Sequence, residues 1–285
     1  MTIIFSAAME QLIVMTVDSA ITNEFGDWRE YDSGKKWYKY DGVGCVATWG
    51  ARDGNRIGQF LEGQSISFDT HSIDDLICLV NRYLREEYRP HENNLGDVGY
   101  HVAGFSREGR SRLYHIFWGV PQPNSGQGSQ DYYLNNHSPT SERQPILLYN
   151  GRNDIADNVV RMLIRDIELG REVRFNLQSC VGLACFSDFV ARLAGELTPE
   201  ISPPFTTILI SSQNKCEVVI NRFFSPIDHE KISLALRLLG FQPPYSVNGS
   251  TQGDNLQSYP LTGLNSYLPP SGINLEAPNV GDTSL

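Results

Sequence analysis

The sequence predicts an α+β fold in which mostly antiparallel strands form layers covered by helices. Two observations carry that prediction. Apolar runs of strand length come in neighbouring pairs joined by short turns, and between the pairs lie stretches whose apolar residues recur at helical spacing. The order is strands, two helices, strands, two helices, strands, helix, so antiparallel pairs dominate and need helices over their apolar face. No internal repeat is present.

The first strand runs from Thr2 to Met9 and the second from Leu12 to Val17, a hairpin whose turn centres on Glu10 and brings Asp18 back opposite Thr2. A polar, aromatic-dotted stretch from Thr22 to Lys36 leads to a strand over Val43 to Trp49 that stops at Gly50. A short helical segment follows around Asn55 to Leu61. Ser72 and Asp75 have the spacing of a capping box, and Ile73, Leu76, Ile77, Val80 and Leu84 make one apolar face of a helix that Pro90 ends. Strands Val98 to Phe105 and Arg112 to Trp118 flank the turn Arg107-Glu108-Gly109-Arg110, in which Gly109 can take positive φ. Pro121 to Pro145 is rich in Pro, Asn, Ser, Gln and Gly and reads as a surface insertion anchored by Tyr132 and Tyr133. Helices from Asp154 to Leu169 and from about Gln178 to Leu197 come next. A hairpin of Thr206 to Ser211 with Cys216 to Ile220 precedes a last helix, Asp228 to Leu239, stopped by Gly240. Residues 1–242 are therefore expected as one domain, and 243–285, without a basic residue, as a disordered or loosely docked tail.

Composition excludes several function classes. Acidic residues outnumber basic ones 33 to 23, and no Lys/Arg cluster could follow a phosphate backbone, so nucleic acid is not an expected partner. No window reaches the ~18 apolar residues of a membrane span, and no basic segment precedes the apolar start, so a cytoplasmic chain is expected. Cys45, Cys78, Cys180, Cys185 and Cys216 are scattered, without a CxxC pair, and suggest neither disulfides nor a metal site. His101 and His115 fall in strands without a matching carboxylate and read as structural.

The residue with the clearest chemical capacity is Thr2. An N-terminal threonine combines a hydroxyl nucleophile with an α-amine of pKa roughly 8 that can take its proton. Removal of an initiator methionine, which favours small second residues, would expose it. A nearby lysine favours the ionised forms and a carboxylate holds that lysine in place; Lys36 and Asp18 are the candidates.

The order and spacing of these residues resemble the proteasome β-subunit family and its bacterial relative, the HslV peptidase. There the nucleophile is followed sixteen positions later by Asp, as Asp18 follows Thr2, and a lysine stands fourteen positions before a glycine, as Lys36 stands before Gly50. Asp18-Ser19-Ala20-Ile21-Thr22 is similar to the family's Asp-Ser-x-x-Thr, and Val102-Ala103-Gly104-Phe105 with Leu113-Tyr114 to its later hairpin. The interval from Asp18 to Lys36 is two residues longer than usual. The resemblance implies a four-layer αββα sandwich of the Ntn (N-terminal nucleophile) hydrolase type and a threonine-type peptidase acting through an acyl-enzyme on Thr2. It also implies an oxyanion contact from the Gly50 N–H, and Thr48 and Arg52 near the specificity pocket. Neither metal nor other cofactor is implied. A peptide or protein substrate, a homo-oligomeric ring or related assembly, and an ATP-driven unfoldase partner are.

Two family elements have no counterpart. Gly119 is followed by Val120-Pro121 rather than continuing a Ser-Gly pair, and the Arg-Asp-x-x-Ser-Gly-Gly stretch is missing, with Glu200 and Ser202 near its place at a different spacing. These losses favour an alternative, a catalytically inactive scaffold or assembly subunit of the same fold. An Ntn amidase or transferase acting on a small amide is a further reading, since a fold does not fix a substrate.

Overall fold

Two five-stranded antiparallel sheets face one another in the computed structural model, which describes residues 2–22, 29–30, 35–50, 54–88, 97–119, 131–139, 145–151, 153–170, 175–198, 200–222, 227 and 229–241. The strands are β1 (Ile3–Ala8), β2 (Leu12–Val17), β3 (Ile21–Thr22), β4 (Arg29–Glu30), β5 (Trp37–Tyr40), β6 (Gly44–Gly50), β7 (Val98–Phe105), β8 (Ser111–Gly119), β9 (Asp131–Asn136), β10 (Ile146–Gly151), β11 (Phe205–Ser211) and β12 (Cys216–Asn221). The helices are α1 (Gly54–Gly63), α2 (Ile73–Arg82), which runs on into a π-turn at Tyr83–Glu87, α3 (Asn153–Glu168), α4 (Cys180–Leu197) and α5 (His229–Leu238). The first sheet has the order β10-β1-β2-β11-β12 and the second β5-β6-β7-β8-β9; β3 and β4 pair apart from both.

The alternation of side chains along each strand builds the layers. On β1, Ile3, Phe5 and Ala7 point into a core shared with α3, α4 and α5, while Ile4 and Ala8 point into the space between the sheets. On β2, Leu12 and Val14 take the helix side, and Ile13, Met15 and Val17 the inter-sheet side. The second sheet divides likewise: Val46, Val98, Tyr100, Val102 and Ile116 meet α1 and α2, whereas Cys45, Ala47, Ala103, Phe105 and Leu113 face the first sheet. Because both faces of β1 and β2 are covered, these strands read as apolar runs broken only by the buried Ser6 and Thr16. The outcome is an αββα sandwich with antiparallel sheets.

Local chemistry fixes the helices. Ser72 accepts from Asp75 N–H at 3.3 Å while the Asp75 carboxylate accepts from Ser72 N–H at 2.8 Å, the capping box expected at the start of α2. Ser179 caps α4 by accepting from Gly182 N–H at 3.0 Å. Phe186 of α4 meets Phe5 edge-on at a ring distance of 5.8 Å, a pairing that adds about 0.5–1.5 kcal/mol beyond area burial.

Five strands were not expected: β3 and β4 form a short pair around the polar stretch that begins at Thr22. β5 and β10 lie in short segments beside lysine and proline, and β9 falls inside the polar stretch from Pro121 to Pro145, where Asp131–Asn136 pairs with β8 as an edge strand. The β1–β2 register also differs by one residue: Ile4 pairs with Val17, so Asp18 meets Ile3 rather than Thr2. Met1, Arg52 and the 243–285 segment lie outside the described residues. Among the described residues no helix is long and apolar enough to cross a membrane.

Candidate active site

Thr2 leads into β1, a strand with a neighbour on each side. Asp18 follows β2 on one side, and Gly151 ends β10 on the other, paired with Ile3. Gly151 has φ +106, and a Cβ there would overlap the Thr2 carbonyl oxygen, so only glycine admits this approach of the two strands. Thr2 itself is 5% exposed.

Asp18 organises the local polar groups. Its Oδ1 accepts from Ile3 N–H at 3.0 Å and from Lys36 Nζ at 2.9 Å, and its Oδ2 accepts from Ala20 N–H at 3.1 Å. Asp18 and Lys36 are both buried. Burial raises the Asp18 carboxyl above its ordinary value and lowers the Lys36 ammonium below its own, while the attraction between the two pulls each the other way. The sequence therefore places an ion pair in a dry position next to the residue that follows Thr2. Such a pair contributes little net stability, since desolvation offsets the Coulomb gain.

Lys36 also connects to β6. Its carbonyl accepts from Thr48 N–H at 2.9 Å, and two residues further on β6 ends at Gly50. The Thr48 hydroxyl is buried without a partner among the described residues. Gly50 is exposed, with φ +88, and a Cβ at that position would collide with the Asp97 carbonyl oxygen. β1 and β6 contact each other across the inter-sheet layer, which brings the Thr2 strand and the Gly50 strand to facing positions.

Two serines join this group without having been singled out as a pair. Ser19 N–H donates to the Ser202 carbonyl at 3.3 Å, so the segment before β11 closes against the residue after Asp18. Both hydroxyls are buried and have no partner among the described residues. Ser202 was visible in the sequence only as a residue at an unfamiliar spacing; Pro203-Pro204, joined by a cis peptide bond, lies between it and β11. Glu200, in contrast, uses its backbone N–H on the Thr198 hydroxyl at 3.4 Å. Gly151 had no sequence signal, because its partner strand begins the chain.

No family model matches the chain, and no curated protein matches it by sequence. Solved structures do. A mutant of Anbu from Hyphomicrobium sp. strain MC1 matches with a TM-score of 0.53 and 12% identity over 84% of this chain and 95% of its own. The helical assembly of the Anbu complex from Pseudomonas aeruginosa matches at 0.53 and 16%, over 87% and 100%. Anbu, the ancestral beta-subunit, from Yersinia bercovieri matches at 0.52 and 9%, over 86% and 99%.

The fold is proteasome-like. The resemblance to the proteasome β-subunit and HslV drawn from the sequence is corrected by these neighbours, since the likeness runs to Anbu, a proteasome-related but distinct family. The Thr2, Asp18, Lys36 and Gly50 intervals do not select between these proteasome-related families. At 9–16% identity the likeness carries the architecture and leaves the chemistry to be argued from this chain's own residues.

Proposed function

We propose that this chain is a proteasome-like subunit that associates with further copies of itself. The observation that carries this reading is the span of the likeness, which covers 100% of an Anbu chain described as part of a helical assembly. The surface supports it: exposed Leu197, Ile220, Leu234 and Leu238 lie on α4, β12 and α5, elements that pack together, and grouped apolar exposure marks association surfaces. Leu234 and Leu238 share one face of α5. Native mass spectrometry should return multiples of the single-chain mass for the wild type. The double variant Leu234→Glu, Leu238→Glu should return single chains with unchanged circular dichroism. A wild type that stays single at every concentration would sink the reading.

A second reading, threonine-type amide hydrolysis, is favoured by the buried Lys36–Asp18 pair beside the Thr2 strand. With Met1 removed, Thr2 Oγ1 attacks the carbonyl carbon of a peptide or other amide as its proton passes to the Thr2 α-amine. Negative charge grows on the carbonyl oxygen, where the Gly50 N–H donates. The tetrahedral species collapses, the C–N bond breaks and the leaving amine takes the proton. Water then attacks the resulting ester, releasing a carboxylic acid and restoring Thr2. Lys36 stabilises the deprotonated hydroxyl, Asp18 holds Lys36, and Thr48 lies near the pocket; an ATP-driven unfoldase would supply unfolded chains. Intact-mass measurement before and after a peptide epoxyketone, which bonds to both hydroxyl and amine of an N-terminal threonine, tests this. Loss of Met1 with one adduct, absent in Thr2→Ala, is the expected result; retained Met1, or Met1 loss without adduct, leaves the assembly reading alone.

A further inference from the structure

The apolar layer between the sheets is interrupted by a row of polar side chains. His101 pairs with His115 and His115 with Asn135, so the three lie abreast on β7, β8 and β9, and directly opposed residues share a face. The row is bonded to the first sheet. His101 Nδ1 lies 2.8 Å from the Ser6 hydroxyl on β1, and His101 Nε2 lies 2.6 Å from Asn150 Oδ1 on β10. With the Asn150 oxygen as acceptor, His101 carries its proton on Nε2 and accepts from Ser6. The row is also bonded along its own sheet. Trp49 on β6 donates its indole N–H to His115 Nε2 at 3.0 Å. The indole reaches across β7 because the residue in its way is Gly99, where a Cβ would overlap the ring. His115 is further held edge-on to His101 and stacked on Phe117 at 4.5 Å.

Each anchor of this network is one step from the candidate site. Trp49 precedes Gly50, Asn150 precedes Gly151, and Gly151 abuts the Thr2 carbonyl. Directional hydrogen bonds between the sheets rigidify the layer and specify one relative placement of the two. The network is expensive for a packing element: His115 Nδ1, Asn135 Nδ2 and Asn150 Nδ2 are buried without partners among the described residues, and each such group costs about 1–3 kcal/mol. Among the described residues no three His, Cys, Asp or Glu side chains are placed to hold an ion.

We propose that His101 and His115 are positioning residues that lock the Trp49–Gly50 end of β6 against the Thr2–Gly151 end of β1 and β10, setting the span between the Thr2 hydroxyl and the Gly50 N–H. This rests on the hydrolase reading, and the test separates the two. Full-length wild type, His115→Phe, His101→Leu and His101→Gln are compared for epoxyketone adduct formation and for hydrogen exchange at the Ile3 and Gly50 amides. Phenylalanine keeps the stack on Phe117 but removes the acceptor for Trp49; glutamine retains a donor and an acceptor. The expected result is a kinact reduced on the order of tenfold to a hundredfold in His115→Phe and His101→Leu, with KI unchanged, recovery in His101→Gln, and faster exchange at both amides in the impaired variants. A folded His115→Phe and His101→Leu with wild-type kinact would overturn the proposal. If the wild type forms no adduct, the hydrolase reading has failed by itself and exchange decides: acceleration at Ile3 and Gly50 together sustains the lock, and wild-type exchange at both overturns it.

Discussion

Burial acts on the inter-sheet histidines in one direction. His101 is lowered to about 3 and His137 to about 4, chiefly by desolvation, and His115 falls well below the ordinary 6.5. Each is neutral in the folded chain at pH values where an unfolded histidine is charged. Between pH 6.5 and about 4 the unfolded state therefore binds more protons, and stability present above 6.5 is lost as the pH falls. The carboxyls of Asp18 and Asp188, raised by burial, gain protons in the folded state and act in the opposite sense. The difference between wild type and His101→Gln isolates the histidine. Urea titrations at stepped pH should show the wild type losing on the order of a few kcal/mol over this window, with a shallower loss in His101→Gln. Parallel profiles in the two proteins would contradict the assignment of that loss to His101.

At the level of elements, the joint between the sheets depends on a turn residue. Asn214, at φ +54 in the β11–β12 turn, accepts from Phe105 N–H at 2.6 Å and donates to the Phe105 carbonyl at 2.8 Å, while its own carbonyl accepts from Gly42 N–H at 3.1 Å. One hairpin tip of the first sheet thus clamps the end of β7 and the β5–β6 turn of the second. Asn214→Ala strands both Phe105 backbone groups, and thermal or urea unfolding should report a loss of about 2–5 kcal/mol; a loss below 1 kcal/mol would mean that water replaces the clamp. The hairpin itself was readable from the sequence, as were β1, β2, β7, β8 and the helices, because their apolar periods are long and their turns carry Gly or polar residues. β9, with Asp131, Asn135 and Asn136, was not. An edge strand has one partner strand, so it can be polar and still pair. The approach of Asp18 to the start of β1 was legible to within one residue for a related reason: the short β1–β2 hairpin converts a sequence interval into a distance. Gly151 and Ser202 were not, because pairing between remote strands brings them to their places and leaves no local pattern; His101 and His115 stand opposed across the readable β7–β8 hairpin, and Asn135 joins them from the unexpected β9.

For the whole molecule, the four layers divide the labour. The outer cores hold the large aromatic and aliphatic side chains of the helices, and the inter-sheet layer combines small residues such as Ala8, Ala47 and Ala103 with the polar row. Leu197, Ile220, Leu234 and Leu238, on α4, β12 and α5, are exposed and lie outside these cores. The position of β1 has a consequence in time. It lies between β2 and β10, both later in the chain, and β2 in turn needs β11. As the ribosome works from one end, the opening hairpin must wait for nearly two hundred further residues before its outer neighbours exist, and slow closure of such distant pairings is the rule. Until β10 and β11 have been added, the outer edges of the opening hairpin have no partner strand, so the first sheet is completed only late in the chain.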